Sequence, residues 1–299
     1  MNRPVDTDRS MAYIFLTMAV FSWAINTVLA RGLVLSIPPM TLSFFRWLIA
    51  LMIILPLGYP RLMAERDIIR KHFGKLLVLS IFSISTYNTI IYLGAHYTTA
   101  TNMTFVIATT PAITFFLSRI ILGEKAGIIK TAGMIMALCG MMVIVFKGNM
   151  NNVLSFTFNG GDILTLISVI CWAVYSVLFK HFKIRMDPLA FLTCIIVLGL
   201  PFIVPFYAWE AAVVGGFALT GKTVSALLFM GLFPSIVSYL CWNEGVKRSG
   251  PNTASVFMYL LPVIGSAIAW FFLGESLYLY HIAGGAGILA GLILAVYRR

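Results

Sequence analysis

Ten mostly apolar stretches, each about the 20 residues a helix needs to cross a bilayer, fill this chain of 299 residues. They cover residues 11–30, 40–57, 76–96, 101–120, 128–146, 162–180, 189–208, 224–246, 252–273 and 279–297, with short gaps between them. The chain is 60% hydrophobic and 10% charged, whereas a soluble domain is nearer half apolar and a quarter charged. No soluble core of this length hides so much apolar side chain, so lipid must be much of the solvent. The expectation is an all-α membrane protein, one domain over residues 1–299, with ten transmembrane helices in a lipid bilayer.

The basic residues report orientation. Of 21 Lys and Arg, 17 flank the N-terminus, the even-numbered connections and the C-terminus, and three flank the odd-numbered connections; Arg46, inside the second helix, is left out of both. This positive-inside bias places both termini in the cytoplasm. The formal charge of +11 is then a topology signal, and no nucleic-acid partner is expected. Cys139, Cys171, Cys194 and Cys241 all fall inside runs without a CxxC pair, so no metal site, loop disulfide or cofactor is expected. The first run follows Arg3 and Arg9 as a signal peptide would. Its relative at 162–180 sits in mid-chain, so both are read as permanent helices.

That relative belongs to a repeat of the whole chain. PAITFFLSRIILGEK begins at Pro111, and PVIGSAIAWFFLGES begins at Pro262. Leu122-Gly123-Glu124 closes the first as Leu273-Gly274-Glu275 closes the second. Trp23-Ala24 and Val28-Leu29 match Trp172-Ala173 and Val177-Leu178; Pro39 and Pro56 match Pro188 and Pro205. After a two-residue insertion, Gly94, Gly133 and Gly140 match Gly245, Gly284 and Gly291. The chain therefore divides into five-helix units at roughly 11–147 and 160–297. Five is odd, so the second unit enters the membrane from the opposite face, and the two are related by a pseudo-two-fold axis in the membrane plane. Inverted repeats of this kind mark secondary transporters, whose substrate site lies at the repeat interface near the midplane.

Ten helices in two inverted halves, Pro-x10-Leu-Gly-Glu in each, and Gly-rich fifth and tenth helices resemble the drug/metabolite transporter superfamily. More narrowly, the chain is similar to the EamA-type ten-helix transporters of bacterial inner membranes, over essentially Met11 to Arg298. The resemblance implies export of amino acids, other metabolites or drugs, and within the family the chain looks most like the aromatic amino-acid exporters.

Polar side chains turn away from lipid, toward a cavity or a neighbouring helix. Asn88 and Tyr92 lie four apart on one helical face, as do Tyr239 and Asn243, and the repeat maps the first pair onto the second. Asn26 maps onto Tyr175, Trp23 onto Trp172, and Ala108 onto Tyr259. The expected site is a central cavity between helices 1, 3, 4, 6, 8 and 9. Its expected substrate-binding residues are Trp23, Asn26, Tyr87, Asn88, Tyr92, Thr104, Trp172, Tyr175, Tyr239, Trp242, Asn243 and Tyr259. For the asparagines, an interhelical hydrogen bond is an equal alternative. Pro111 and Pro262 remove a backbone donor inside their helices and are hinge candidates, with a static packing kink as the alternative. Helices 5 and 10, nearly bare of polarity, read as scaffold joined by Gly133, Gly140 and Gly287-x-x-x-Gly291. Glu124 and Glu275 read as structural caps, and Trp47 and Trp209 as members of the interfacial aromatic belt.

The charges that are missing narrow the mechanism. Proton and sodium relays place a carboxylate deep in the membrane. Here the acidic residues read as loop or helix-end residues; Glu244, toward the cytoplasmic end of helix 8, is the most embedded and the possible coupling residue. Arg46, in the outer part of helix 2, is the only clear basic candidate within a run; an interfacial anchor or a structural pair is preferred over substrate binding, since members of the resembled family often carry an arginine there. The reading that survives is a transporter of neutral or zwitterionic small molecules, a facilitator or exchanger, with amino acids of aromatic or bulky apolar side chain as the best fit. One chain can form the whole pathway, so a monomer is expected. Drugs or nucleosides as cargo, a solute channel, and a membrane-embedded enzyme acting on lipids stand as rivals. No catalytic residues are named, because no paired carboxylates or metal cluster are visible.

Overall fold

In the computed structural model, which describes residues 4–33, 36–124, 127–273 and 276–296, ten helices are long and apolar enough to cross a membrane. We label them in chain order. Helix α1 is Pro4–Leu33, α2 is Pro39–Ala64, α5 is Ile128–Val145, α6 is Gly160–Phe182, α7 is Pro188–Val214 and α10 is Leu279–Val296. The other four are interrupted. Helix α3 runs Arg66–Ser80, a π-helical turn Ile81–Thr86, then Tyr87–Tyr97. Helix α8 runs Gly221–Met230, a π-helical turn Gly231–Val237, then Ser238–Ser249. Helix α4 is Ala100–Ile107 and Thr110–Ile121, and α9 is Pro251–Val256, a 3-10 turn Phe257–Tyr259, and Leu260–Leu273. A short helix, Met150–Leu154, lies in the α5–α6 connection.

The interruptions fall at equivalent places in the two halves. Both π turns occupy positions that the repeat superposes, and both α4 and α9 break just before their prolines. Pro111 stands in the first turn of the second piece of α4, where its missing N–H is no loss. The backbone thus carries a break beside each hinge candidate.

Packing repeats the symmetry. Helix α1 lies against α8 and α9, and α6 lies against α3 and α4; α2 pairs with α7, and α5 with α10. Exchanging the two halves returns the same set of pairs, as an inverted repeat requires. Small residues set the closest approaches. A Cβ on Gly94 of α3 would stand 3.0 Å from Thr165 Oγ1 of α6, and one on its counterpart Gly245 of α8 would stand 2.5 Å from Leu16 of α1. Between α5 and α10, Gly133, Gly140, Gly284 and Gly291 bring backbone against backbone.

Two predicted boundaries move. Helices α2 and α3 extend well beyond 40–57 and 76–96, so the basic residues between them sit on helix rather than loop, with a break at Glu65 and a kink at His72. Trp47, expected at the interface, is fully buried with its ring edge-on to Tyr239, whereas Trp209 is 64% exposed on the lipid side of α7.

Buried acids latch the helix ends. Glu210 of α7 accepts from the backbone N–H of Met40 and Thr41 at 3.1 and 2.7 Å, and from the Thr41 hydroxyl at 2.9 Å, satisfying orphan donors of α2. At the other end of this pair, Asp187 caps α7 through Leu189 and Ala190 and pairs with Arg61 of α2. Burial alone would raise the Asp187 carboxyl; the bonds from Ala190, Arg61 and Leu189 outweigh it and hold it below its ordinary value. Asp162, 0% exposed, joins a capping box with Asn159 and accepts from Thr98 and Asn102. Glu124 accepts from Asn252 Nδ2 at 2.6 Å, a side-chain contact to α9 rather than the backbone cap expected of it. Glu275 lies outside the described residues. Among the described residues, the buried acids are therefore Glu210 and Asp162. Glu244 instead sits at the end of α8 in ion pairs with Lys247 and Arg248, the latter also paired with Asp8.

Candidate functional site

A cavity of about 210 Å³ opens from the middle of the bundle toward the face that carries few basic residues. Its rim includes Ile37, Pro39 and Thr98, and its depth is marked by Trp23, Asn88 and Tyr239. Seven of the twelve expected residues line it: Trp23, Asn26, Tyr87, Asn88, Tyr92, Thr104 and Tyr239. Helices α1, α2, α3, α4, α8 and α9 contribute. Helix α6, expected on the wall, does not; α2 takes its place through Pro39, Leu42 and Arg46.

The other five expected residues are elsewhere. Trp172, Tyr175, Trp242 and Tyr259 are buried rather than lining the cavity, and Asn243 lines a second cavity. The first three make a seal of rings. Trp172 packs on Trp23 at 5.2 Å, Tyr87 at 4.9 Å and Tyr175, Tyr239 and Trp242 at 5.4 Å each. Tilted and edge-on geometries of this kind contribute about 0.5–1.5 kcal/mol per pair beyond simple burial. The cluster therefore stands as a wall beneath the cavity floor.

The second cavity, of about 660 Å³, lies at the basic face between α6, α7 and α8. It is the repeat counterpart of the first. Met186, Pro188, Phe191, Asn243 and Lys247 on its wall are equivalent to Ile37, Pro39, Leu42, Tyr92 and His96 on the wall of the other. The difference is depth. Trp23, Asn26, Tyr87 and Thr104 are partly exposed in the first cavity, while their equivalents Trp172, Tyr175, Ser238 and Ser255 are buried. Equivalent positions thus stand in an open arrangement toward one face and a closed one toward the other.

The π turns place acceptors at this junction. An i→i+5 ladder leaves carbonyls without their usual intrahelical donor, and such turns often occur at functional sites. Ser83 O accepts from Asn88 Nδ2 at 2.6 Å and from the Tyr239 hydroxyl at 3.0 Å. Its repeat equivalent, Pro234 O, accepts from Trp23 Nε1 at 3.0 Å. The Tyr175 hydroxyl donates to Asn243 Oδ1 at 2.6 Å. No sequence signal marked these turns, since nothing in local composition distinguishes a π turn from the α-helix around it.

Arg46 is held in polar side-chain pairs, one of the two roles expected of it, but on the cavity wall rather than at the membrane interface. It is only 4% exposed, lines the first cavity, and makes no interfacial or carboxylate contact among the described residues. Its Nε donates to Ser235 Oγ at 2.7 Å and its Nη1 to the Tyr92 hydroxyl at 2.6 Å. Helical phase could have found it, because Leu42 and Arg46 share a face and Leu42 stands on the same wall.

Comparison with known proteins agrees with this architecture. The model of the EamA-like transporter family matches the chain twice, over residues 10–146 and 159–297. A protein of Archaeoglobus fulgidus named "Uncharacterized transporter" is 28% identical over 302 residues, covering 97% of this chain and 99% of that protein. "Uncharacterized transporter YyaM" of Bacillus subtilis is 26% identical over 231 residues, covering 77% of this chain and 75% of its own. A crystal structure that is 18% identical superposes with a TM-score of 0.79 over 96% of this chain and 97% of its own, which shows a shared fold. The two family matches divide the chain where the internal repeat divides it, and the chain is a multi-pass membrane protein that belongs to the EamA-like transporter family.

Proposed function

We propose that this transporter exports amino acids with aromatic or bulky apolar side chains across the inner membrane, by opening two repeat-related cavities in alternation. The observation that carries the reading is the contrast between equivalent positions, open in the cavity at one face and buried in the seal beneath the other. The positive-inside bias puts the basic face and both termini in the cytoplasm, so the deep cavity faces outward. Indole and phenol rings on the cavity wall (Trp23, Tyr87, Tyr92, Tyr239) offer stacking surfaces for an aromatic side chain. A single chain holds the whole route, and a monomer suffices.

Two of the nine buried side-chain polar atoms without a partner among the described residues support the alternation. Asn26 Oδ1 and Trp172 Nε1 are unsatisfied. Their repeat equivalents, Tyr175 and Trp23, are both bonded, to Asn243 and to Pro234 O. A buried polar group left without a partner costs about 1–3 kcal/mol. In the opposite state the bonds exchange halves: the Tyr92 hydroxyl donates to Asn26 Oδ1 and Trp172 Nε1 donates to Ser83 O, while Tyr175–Asn243 and Trp23–Pro234 open. Pro111 and Pro262, beside the breaks of α4 and α9, mark where the two halves flex.

Glu244 is the one carboxylate on either cavity wall among the described residues, and it is held by Lys247 and Arg248. The cycle is therefore proposed to run without a proton gradient. Liposomes holding the full chain are expected to show saturable counterflow of labelled tryptophan and phenylalanine with no ion gradient. Flux of threonine or a nucleoside alone would remove the aromatic assignment. Flux only under an imposed pH gradient would return Glu244 to a coupling role.

A further inference from the structure

We infer that the Arg46 guanidinium is a carboxylate-binding subsite, so that the outward cavity selects cargo bearing an organic carboxylate. The inference rests on the reading of this cavity as the cargo site. Arg46 is a buried cation on the cavity wall, and none of the ion pairs among the described residues includes it. A buried charge is normally paired, because desolvation without a counter-ion is heavily unfavourable.

The repeat shows that the fold does not require a cation there. The position equivalent to Arg46 in the second half is Ile195, also buried. One half is therefore satisfied by an aliphatic side chain where the other carries a fixed charge. The wall around Arg46 holds it without neutralising it. Ser235 Oγ accepts from Nε and donates its own hydrogen bond to Met230 O, and the Tyr92 hydroxyl accepts from Nη1. Trp47 and Tyr92 bring their rings to 4.9 and 5.8 Å of the guanidinium carbon. These are neutral contacts that fix the plane of the fork. Only the Nε and one Nη1 donor are engaged by these bonds. A carboxylate is the group that matches a guanidinium edge with two parallel hydrogen bonds. Ser235 and Tyr92 are positioning residues in this arrangement.

The test uses the full chain in detergent and four indole compounds: tryptophan with both charged groups, indole-3-propionate with the carboxylate alone, tryptamine with the ammonium alone, and indole with neither. Thermal stabilisation titrations read binding without needing transport. Tryptophan and indole-3-propionate are expected to stabilise the protein, with tryptamine and indole weaker by roughly tenfold or more, the loss of a charge-assisted pair. Arg46→Gln should bring all four to the same weak level, and Arg46→Lys should keep a preference for the two acids at reduced affinity. Tyr92→Phe, which leaves the charge in place, should weaken the acids less than Arg46→Gln does. Equal binding of tryptamine and indole-3-propionate, no stabilisation by either acid, or acid affinity within twofold of wild type in Arg46→Gln would each overturn the subsite. Acid binding without counterflow would keep the subsite and remove the transport assignment. Counterflow of tryptophan unaffected by Arg46→Gln would do the reverse.

Discussion

Gly291→Leu is expected to leave little folded protein. A Cβ at this position would stand 2.4 Å from Ala137 N and 2.6 Å from Gly133 O, both backbone atoms of α5. Backbone in a helix cannot rotate out of the way as a side chain can, so α5 and α10 must part. Parting them also loses the approach at Gly140, whose own Cβ would meet Gly284 O at 2.6 Å. Helix pairs in lipid are held by close van der Waals packing rather than by a hydrophobic drive, so a wedge at the centre of the contact removes much of what joins them. Overpacking typically costs about 1–3 kcal/mol, occasionally more, and this site belongs at the upper end because no flexible atom can yield. The thermal midpoint in detergent and the monodisperse yield report it. Gly74→Ala, on α3 with nothing within 4 Å of its Cβ, is the control and should fold as wild type. An unchanged midpoint for Gly291→Leu would contradict the α5–α10 contact.

The second large effect is on the balance of states. Tyr175→Phe removes the donor to Asn243 Oδ1 and leaves that acceptor buried and unsatisfied in the observed state. The penalty of about 1–3 kcal/mol falls only on the state in which the outward cavity is open. It is therefore expected to shift the population toward the inward-open state by roughly 5- to 150-fold. Asn26→Ala should act in the opposite direction, because it removes the acceptor that the inward-open state would use. Single-cysteine reporters at Leu42 and Phe191, one on each cavity wall, read the ratio of labelling rates. Shifts of the same sign in the two variants would remove the exchange of bonds between halves.

Much of the fold was legible because lipid makes the pattern simple. A crossing helix must satisfy its backbone internally and present apolar side chains over a fixed length. Pairs such as Trp23 with Trp172 and Gly140 with Gly291 then exposed the repeat, and an odd number of helices per unit set its inversion. Helical phase placed Asn88, Tyr92 and Tyr239 on one lining surface. It could not separate Trp23, which lines the cavity, from Trp172, which seals it. The two positions are equivalent by sequence, and their difference belongs to the conformation. Trp47 was misplaced, and the burial of Arg46 on the cavity wall was missed, for a different reason. An arginine or tryptophan in the outer part of a helix is an interfacial anchor when it faces lipid, and only the packing of α2 against α3 and α8 turns these two inward. Glu210 and Asp162 read only as loop or helix-end acids because their burial depends on the ends of other helices, far away in sequence.

The central claim is that the two cavities open in turn, and reciprocal accessibility tests it most directly. In a background without the four native cysteines, Leu42→Cys and Phe191→Cys would be labelled by a membrane-impermeant thiol reagent from each side, with and without saturating cargo. The account predicts that any condition raising labelling at one site lowers it at the other, and that Leu42→Cys reacts only from outside and Phe191→Cys only from the cytoplasm. Simultaneous labelling of both at undiminished rates would describe a continuous pore and contradict alternation.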